Sequence, residues 1–233
     1  MNKINNEEFS NLVLPLFGLT VSCPWLGYGS ALFLELGKLQ QPRDSHLKHP
    51  SGEACIMIEW DWRVENDKEI LFGSSNSRPK MDKGISQLSN LKINSISLIG
   101  KPSEILVNLS NGIRLQTMAM ISGGPQWSIK LIDGTWLCYE GAFLVQKGKN
   151  EGSGGLTEEE NEVMNLADET VARWKQPFIE PKLGNCNRCK YFVQLDGEFA
   201  LLDYGVCIAS GSQFDGHAVS TSSGCPKYIS IEP

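Results

Sequence analysis

The sequence predicts a mainly β protein: a duplicated antiparallel meander forming a sandwich or barrel, one connecting helix, and a small C-terminal four-cysteine metal module. Three observations lead to this prediction. Apolar and polar residues alternate in several stretches before residue 148, which is the period of a β-strand. Asn111-Gly112 and Asp133-Gly134 stand between such stretches, as in tight hairpins. Four of the seven cysteines lie after residue 185.

Composition and hydropathy place the chain among folded proteins without a membrane helix. It has 233 residues, of which 41% are hydrophobic and 21% charged, and these values are ordinary for a globular protein. No stretch approaches the roughly 20 apolar residues of a membrane-spanning helix. Because residues 1–10 also lack the layout of a signal peptide, we expect a cytoplasmic protein that does not enter a membrane.

The clearest strand prediction covers residues 55–65. Its apolar positions, every second residue, are Ile56, Ile58, Trp60, Trp62 and Val64. This alternation indicates a strand with one solvated face. Residues 105–109 and 113–121 alternate in the same way on either side of Asn111-Gly112, which predicts a hairpin. No helical period of useful length appears between residues 20 and 148.

A weak internal similarity runs through the β region. Residues 18–21 resemble 90–93, residues 32–36 resemble 105–109, and residues 60–63 resemble 127–130. Two copies of one meander, over residues 12–75 and 86–146, explain these similarities. Chance likeness among alternating segments explains them equally well, so both interpretations stay open.

The chain divides after the β region. We place an all-β domain at residues 1–148, a linker and helix at 149–182, and a four-cysteine metal-binding module at 183–233. Residues 147–155 contain four glycines and no apolar side chain, as a flexible linker does. Thr157 and Glu160 have the spacing of a capping box, and Pro177 ends the helix that follows. We expect this helix to pack through Trp174.

The last four cysteines have the pattern Cys186-x2-Cys189-x17-Cys207-x17-Cys225. Cys-x2-Cys lets one tight turn present two sulfurs to one ion, and four thiolates make a closed tetrahedral site for zinc. Structural zinc is the leading prediction. A [4Fe–4S] cluster is the alternative cofactor. A third interpretation has no metal, with a disulfide or a redox-active Cys-x2-Cys pair instead.

The sequence does not predict an active site. It contains no Walker loop, no Gly-x-Ser-x-Gly elbow and no His-Glu-x-x-His motif. His46 and His49 share a polar loop without further ligands, and Glu59 and Asp61 fit a solvated strand face. With a formal net charge of −6 and no run of Lys or Arg, nucleic-acid binding is disfavoured as well.

Two segments resemble known groups of bacterial proteins. Over about residues 56–145, Trp62-Arg63-Val64-Glu65 and Ile70-Leu71-Phe72-Gly73-Ser74 resemble patterns of uncharacterised immunity-type all-β proteins from toxin–immunity loci. Over about residues 183–229, Gly205-Val206-Cys207, Phe214-Asp215-Gly216 and Gly224-Cys225 resemble an uncharacterised bacterial four-cysteine module. The first resemblance implies a protein partner, and neither implies an active site.

We therefore expect a non-enzymatic binding protein. Its most concrete form is an immunity protein that neutralises a cognate bacterial toxin by direct binding. One alternative is an iron–sulfur accessory or redox subunit that uses the four-cysteine module. Another is a zinc protein associated with nucleic acid.

Overall fold

A computed structural model of the chain describes residues 2–27, 29–40, 49–120, 126–149, 162, 165–166, 183–195 and 204–231. The chain divides into two compact units, residues 1–154 and 155–233. The described residues form fifteen strands in three antiparallel sheets, together with two short α-helices. The prediction of a mainly β protein is therefore confirmed. None of the three sheets closes into a barrel within these ranges.

The first unit contains both helices and twelve strands. The helices are α1 (Asn6–Val13) and α2 (Arg78–Ser86). The strands are β1 (Asn2–Ile4), β2 (Val21–Leu26), β3 (Leu32–Leu36), β4 (Ala54–Ile58), β5 (Trp62–Glu65), β6 (Ile70–Gly73), β7 (Ile93–Ile99), β8 (Glu104–Leu109), β9 (Arg114–Thr117), β10 (Trp127–Lys130), β11 (Trp136–Glu140) and β12 (Phe143–Lys147). One sheet has the order β1-β12-β11-β10-β4-β3-β2, and the other has the order β6-β5-β9-β8-β7.

One hydrophobic core joins the two sheets of this unit. Its fully buried side chains come from the inward faces of both sheets and from both helices. Phe9 of α1 meets Trp127 of β10 edge to face, with ring centroids 5.9 Å apart. Because alternate residues of a strand share a face, Leu32, Leu34 and Leu36 enter this core together. The two sheets thus enclose a common interior, as in a sandwich.

Residues 55–65 do not form the single strand that the alternation predicts. β4 joins the seven-stranded sheet and β5 joins the five-stranded sheet, and residues 59–61 between them lie outside both strands. Four of the five predicted inward positions are correct, since Ile56, Ile58, Trp62 and Val64 are buried. Trp60 is wrong, because it is only half-buried and lies between the two strands. The solvated second face is wrong for β4, where all five residues are buried.

The absence of a helix between residues 20 and 148 is a wrong prediction, because α2 lies there. This helix has only nine residues and buries just Met81, Gly84 and Ile85. Such a short polar segment gives no clear helical period. Gly84 faces the ring of Phe72, where a Cβ would lie 2.6 Å from the ring atoms. Glycine in mid-helix therefore lets α2 approach β6 closely.

Both predicted hairpins are confirmed. β8 pairs with β9 across the turn at Ser110–Gly112, where Asn111 and Gly112 have φ values of 63° and 70°. β10 pairs with β11 across Asp133-Gly134, and Gly134 has φ 87°. Asn and Gly tolerate this left-handed conformation, so the turn residues determine where these strands reverse.

The two halves of the first unit follow a similar path. In the first half, α1 precedes the meander β2-β3-β4, and the chain then crosses to the other sheet as β5 and β6. In the second half, α2 precedes β7-β8-β9, and the chain crosses back as β10, β11 and β12. A bridge between Thr20 and Lys92 joins the starts of the two meanders. The duplication itself stays a prediction.

The second unit contains a small three-stranded sheet. Its strands are β13 (Phe192–Gln194), β14 (Tyr204–Cys207) and β15 (Ala218–Ser220), in the order β13-β14-β15. Of the predicted connecting helix, the structure describes Glu162, Asn165 and Leu166, and all three are helical. Thr157, Glu160, Trp174 and most of the predicted linker lie outside the described residues.

Candidate metal centre

Cys186 and Cys189 are positioned by a single tight turn. Residues Cys186–Arg188 form a short 3-10 helix, and the N–H of Cys189 donates to the carbonyl of Cys186 across 2.9 Å. The N–H of Phe192 then donates to the carbonyl of Cys189 across 3.0 Å. This turn leads directly into β13, so the Cys-x2-Cys segment is held at the start of the small sheet.

Cys207 reaches the same region as the last residue of β14. It lies opposite Phe192 of β13 in the antiparallel register. On its other side, its N–H donates to the carbonyl of His217 (3.0 Å) and its carbonyl accepts from the N–H of Gly216 (2.8 Å). Backbone hydrogen bonds on both sides therefore fix the third cysteine beside the first two.

Cys225 is brought in by the segment after β15. The N–H of Cys186 donates to the carbonyl of Ser223 across 2.7 Å, and the N–H of Asn187 donates to the carbonyl of Thr221 across 3.1 Å. After Cys225, the N–H of Tyr228 donates to its carbonyl across 3.1 Å. The fourth cysteine therefore lies next to the turn that holds the first.

All four predicted ligands line one cavity in the second unit. Cys186, Cys207 and Cys225 are each 6% exposed, and Cys189 is half-buried. None of the seven cysteines forms a disulfide. The other residues lining this cavity are Tyr191, Phe192, Ala209, Val219, Gly224, Lys227 and Tyr228.

Two glycines let aromatic rings pack closely around this cavity. A Cβ on Gly184 would lie 2.4 Å from the ring of Tyr228, and a Cβ on Gly205 would lie 2.4 Å from the ring of Phe192. Any larger residue would displace these rings, because carbon atoms pack at about 3.5–4.0 Å. Of these two rings, that of Phe192 packs against the small core formed by Cys186, Cys207, Ala209 and Val219.

The four cysteines line one cavity, but their sulfur atoms are not arranged around a common point as metal ligands are. Within the described ranges, no group of three or more His, Cys, Asp or Glu side chains is placed so that it could hold a metal ion. Tetrahedral zinc with Zn–S bonds of about 2.3 Å needs sulfur atoms about 3.8 Å apart. The described residues of the cavity lining contribute four sulfurs, no carboxylate and no imidazole, so their donor chemistry suits a thiophilic ion.

The remaining cysteines have a different character. Cys55 and Cys138 are buried in the first unit, and Cys23 is half-buried. Burial raises the pKa of the Cys138 thiol to about 11. Burial, with a smaller contribution from the Glu35 carboxylate, raises the pKa of Cys55 well above its ordinary value and also raises that of Cys23. Raised pKa values disfavour the reactive thiolate.

Other residues considered in the sequence do not assemble into a site. His49 stacks on the ring of Trp25, with centroids 4.5 Å apart, and His46 lies outside the described residues. Partial burial, and then the nearby Glu104 carboxylate, raises the pKa of Asp61. Sequence reasoning missed Ser212, Lys227 and Tyr228 near the cysteines, because nothing in their spacing indicates this proximity.

No helix in the described part of the chain is long and apolar enough to cross a bilayer. Comparison with known protein families, with curated protein sequences and with solved structures finds no match for this chain in any of the three.

Proposed function

We propose that this chain is a non-enzymatic binding protein whose C-terminal unit is stabilised by one structural Zn²⁺ ion. The ligands are Cys186, Cys189, Cys207 and Cys225. The observation that carries the metal proposal is that these four cysteines, which come from three separated segments, line one cavity. Four thiolates fill the coordination shell of zinc and leave no position for a substrate.

The donor set favours zinc over oxygen-binding cations. Mg²⁺ and Ca²⁺ take carboxylate, carbonyl and water oxygens, and among the described residues no carboxylate lines this cavity. Four thiolates with Zn²⁺ carry a net charge of −2. Lys227 also belongs to the described lining, and its ammonium group lowers the cost of that charge.

Metal binding draws the sulfurs together. Each cysteine side chain has a single rotatable bond before its sulfur, so the sulfurs move while the backbone hydrogen bonds around them stay intact. Zinc binding to small modules has an apparent free energy on the order of 10 kcal/mol. That free energy exceeds what a small three-stranded sheet with few buried apolar residues supplies by itself.

An iron–sulfur cluster is the second candidate for the same four thiols. The aromatic side chains of Tyr191, Phe192 and Tyr228 line the cavity, and a shell of this kind shields a cluster from water. The two metals differ in a simple observable. A [4Fe–4S] protein is brown with broad visible absorption, whereas a zinc–thiolate protein is colourless.

The metal test uses the full chain, purified anaerobically without added metal. We expect one zinc per chain by elemental analysis and no visible band. The variant with all four cysteines replaced by serine should contain none, while Cys23→Ser, a change outside the cavity, should keep one. Iron together with visible absorption would show that the four cysteines hold an iron–sulfur cluster and not zinc. Protein that binds neither metal, even when refolded with each, would overturn the proposal of a metal module.

For the binding function, we propose an immunity protein that neutralises a cognate toxin. This rests on the resemblance of residues 56–145 to immunity-type proteins. The residues that carry the resemblance include Trp62 and Val64 of β5 and Phe72 of β6, which are buried, and Ile70 of β6, which is exposed. A protein of this kind acts by covering its partner with a complementary surface rather than by catalysis.

The immunity proposal has a direct test. Expression of the chain should protect bacteria from a toxin encoded beside its gene, and the two purified proteins should form a stable one-to-one complex. Protection without any complex would contradict neutralisation by binding. The four-serine variant shows whether the metal module takes part, because loss of protection with a folded first unit would place the binding surface on the second unit.

A further inference from the structure

We infer that Ser212 is a positioning residue of the metal centre, and that its hydroxyl donates a hydrogen bond to the thiolate of Cys225. This inference rests on the proposed metal site. The oxygen of the Ser212 hydroxyl lies 3.6 Å from the sulfur of Cys225. That separation is within hydrogen-bonding distance for sulfur.

The protonation state of Cys225 sets the direction of this contact. The hydroxyl oxygen of Ser212 accepts a hydrogen bond from the N–H of Phe214 across 3.1 Å. A serine hydroxyl has one proton to donate and two lone pairs that accept. Phe214 uses one lone pair, so the proton and the second lone pair of Ser212 are both available to Cys225. A metal-bound thiolate has no proton, so Ser212 must be the donor in the loaded site.

The backbone holds this hydroxyl in place. The N–H of Ser212 donates to the carbonyl of Ala209 across 2.9 Å, and the carbonyl of Ser212 accepts from the N–H of Asp215 across 3.1 Å. Ala209 is buried and lines the cavity two residues after Cys207. Ser212 therefore links the turn that follows the third ligand to the sulfur of the fourth.

A hydrogen bond to a metal-bound thiolate has two measurable effects. It stabilises the lone pairs of the sulfur, which raises the energy of charge transfer from sulfur to metal. It also orients the ligand, and loss of such an outer contact typically weakens metal binding 10- to 100-fold. Because this bond is long and the residue is half-buried, we expect an effect of about tenfold.

The experiment is a Co²⁺ titration of the full chain, followed by competition with Zn²⁺. Ser212→Ala should bind Co²⁺ about tenfold more weakly than wild type, with its charge-transfer band shifted to longer wavelength. Ser212→Thr keeps a hydroxyl and should restore the position of the band. Ser210→Ala removes an exposed hydroxyl from the same turn and should leave both properties unchanged.

The outcomes separate this inference from the metal proposal. If Ser212→Ala binds more weakly with an unshifted band, its role is merely structural, and the inference is wrong. An alanine variant identical to wild type overturns it as well, while the metal site stands. A wild-type chain that binds neither Co²⁺ nor Zn²⁺ overturns both proposals. If Ser212→Ala fails to fold, Ser212→Thr provides the test instead. A charge-transfer band of Ser212→Thr that differs from that of wild type would contradict the inference, because this variant keeps the hydroxyl.

Discussion

The carboxylate of Glu35 accepts a hydrogen bond from the backbone N–H of Gly52 across 2.7 Å, and Glu35 is only 7% exposed. Glu35 belongs to β3, and Gly52 lies just before β4. The same carboxylate accepts a longer hydrogen bond, 3.4 Å, from the indole N–H of Trp25. A buried carboxylate therefore joins three neighbouring segments of the seven-stranded sheet.

Removing this carboxylate should destabilise the first unit. We expect Glu35→Ala to lower the free energy of unfolding by about 2 kcal/mol, because the buried N–H of Gly52 loses its partner. Glu35→Gln keeps an acceptor oxygen and should cost less. Urea unfolding followed by tryptophan fluorescence measures both. The control Glu69→Ala removes an exposed carboxylate and should change stability by less than about 0.5 kcal/mol; an equal loss in both alanine variants would contradict this role.

The cysteine module should depend on its ligands while the first unit does not. We expect Cys186→Ser to lose metal and to make residues 183–233 sensitive to protease, because the proposed metal ion no longer joins the segments around the small sheet. Residues 1–148 should stay resistant, and Cys23→Ser should behave as wild type. Limited proteolysis with mass spectrometry of the fragments gives the answer. Equal protection of both regions in Cys186→Ser would show that the module folds without its metal.

The buried thiols of the first unit should resist alkylation. With a pKa of about 11, the Cys138 thiol is only about 0.1% ionised at pH 8, and the thiolate is the reactive form. We expect iodoacetamide to leave Cys138 and Cys55 unmodified in the native protein and to modify both in guanidinium chloride. Peptide mapping measures this. Native labelling of Cys138 as fast as a free thiol would contradict the burial that raises its pKa.

The stability of the first unit at acidic pH should depend on the protonation of Asp61. Desolvation and then Glu104 raise the pKa of Asp61 above its ordinary value of 3.8, so folding favours its protonated form. The resulting stabilisation is complete below pH 3.8 and is lost as the pH rises through the raised pKa. The asparagine of Asp61→Asn does not ionise, so this variant keeps its stability as the pH rises. Its stability relative to wild type should therefore increase as the pH rises through the raised pKa of Asp61.

Thermal unfolding at a series of pH values checks the Asp61 prediction. The relevant quantity is the difference in Tm between Asp61→Asn and wild type at each pH. Glu69→Gln, which changes an exposed carboxyl, serves as the control for general charge effects. A difference that stays constant across the acidic range would show that folding does not raise the pKa of Asp61, and a difference that falls as the pH rises would show that folding lowers it.

Local signals in the sequence predict the hairpins of this fold but not its short helix α2. Asn111 and Gly112 adopt the left-handed conformation that their residue types permit, so the hairpin β8–β9 is readable from two residues. The alternation of residues 56–64 identifies the inward side chains of β4 and β5 correctly, although it also includes Trp60, which is half-buried between them. It does not reveal the break at residues 59–61, because β4 and β5 keep the same period while they enter different sheets. That break depends on pairing with β10 and β9, far away in the chain.

The candidate site divides in the same way. Cys186 and Cys189 are predictable as neighbours because one turn holds both. The proximity of Cys207 and Cys225 to this turn depends on non-local contacts. Cys207 pairs with Phe192 in the small sheet, and the N–H of Cys186 donates a hydrogen bond to the carbonyl of Ser223, two residues before Cys225. The position of Ser212 against Cys225 follows from a turn that residue types alone do not specify. The four cysteines can therefore be identified as a cluster from the sequence, whereas the residues that surround them can be identified only from the tertiary structure.

The exchange of strands between the two sheets of the first unit has a consequence for how the chain can be divided. A cut between residues 75 and 76 would leave neither fragment with a complete sheet, because β4 needs β10 and β5 needs β9. Each piece alone would expose the apolar face that the other covers. The two pieces should therefore reassemble as a heterodimer when mixed, and the intact polypeptide is equivalent to such a pair joined by one covalent connection.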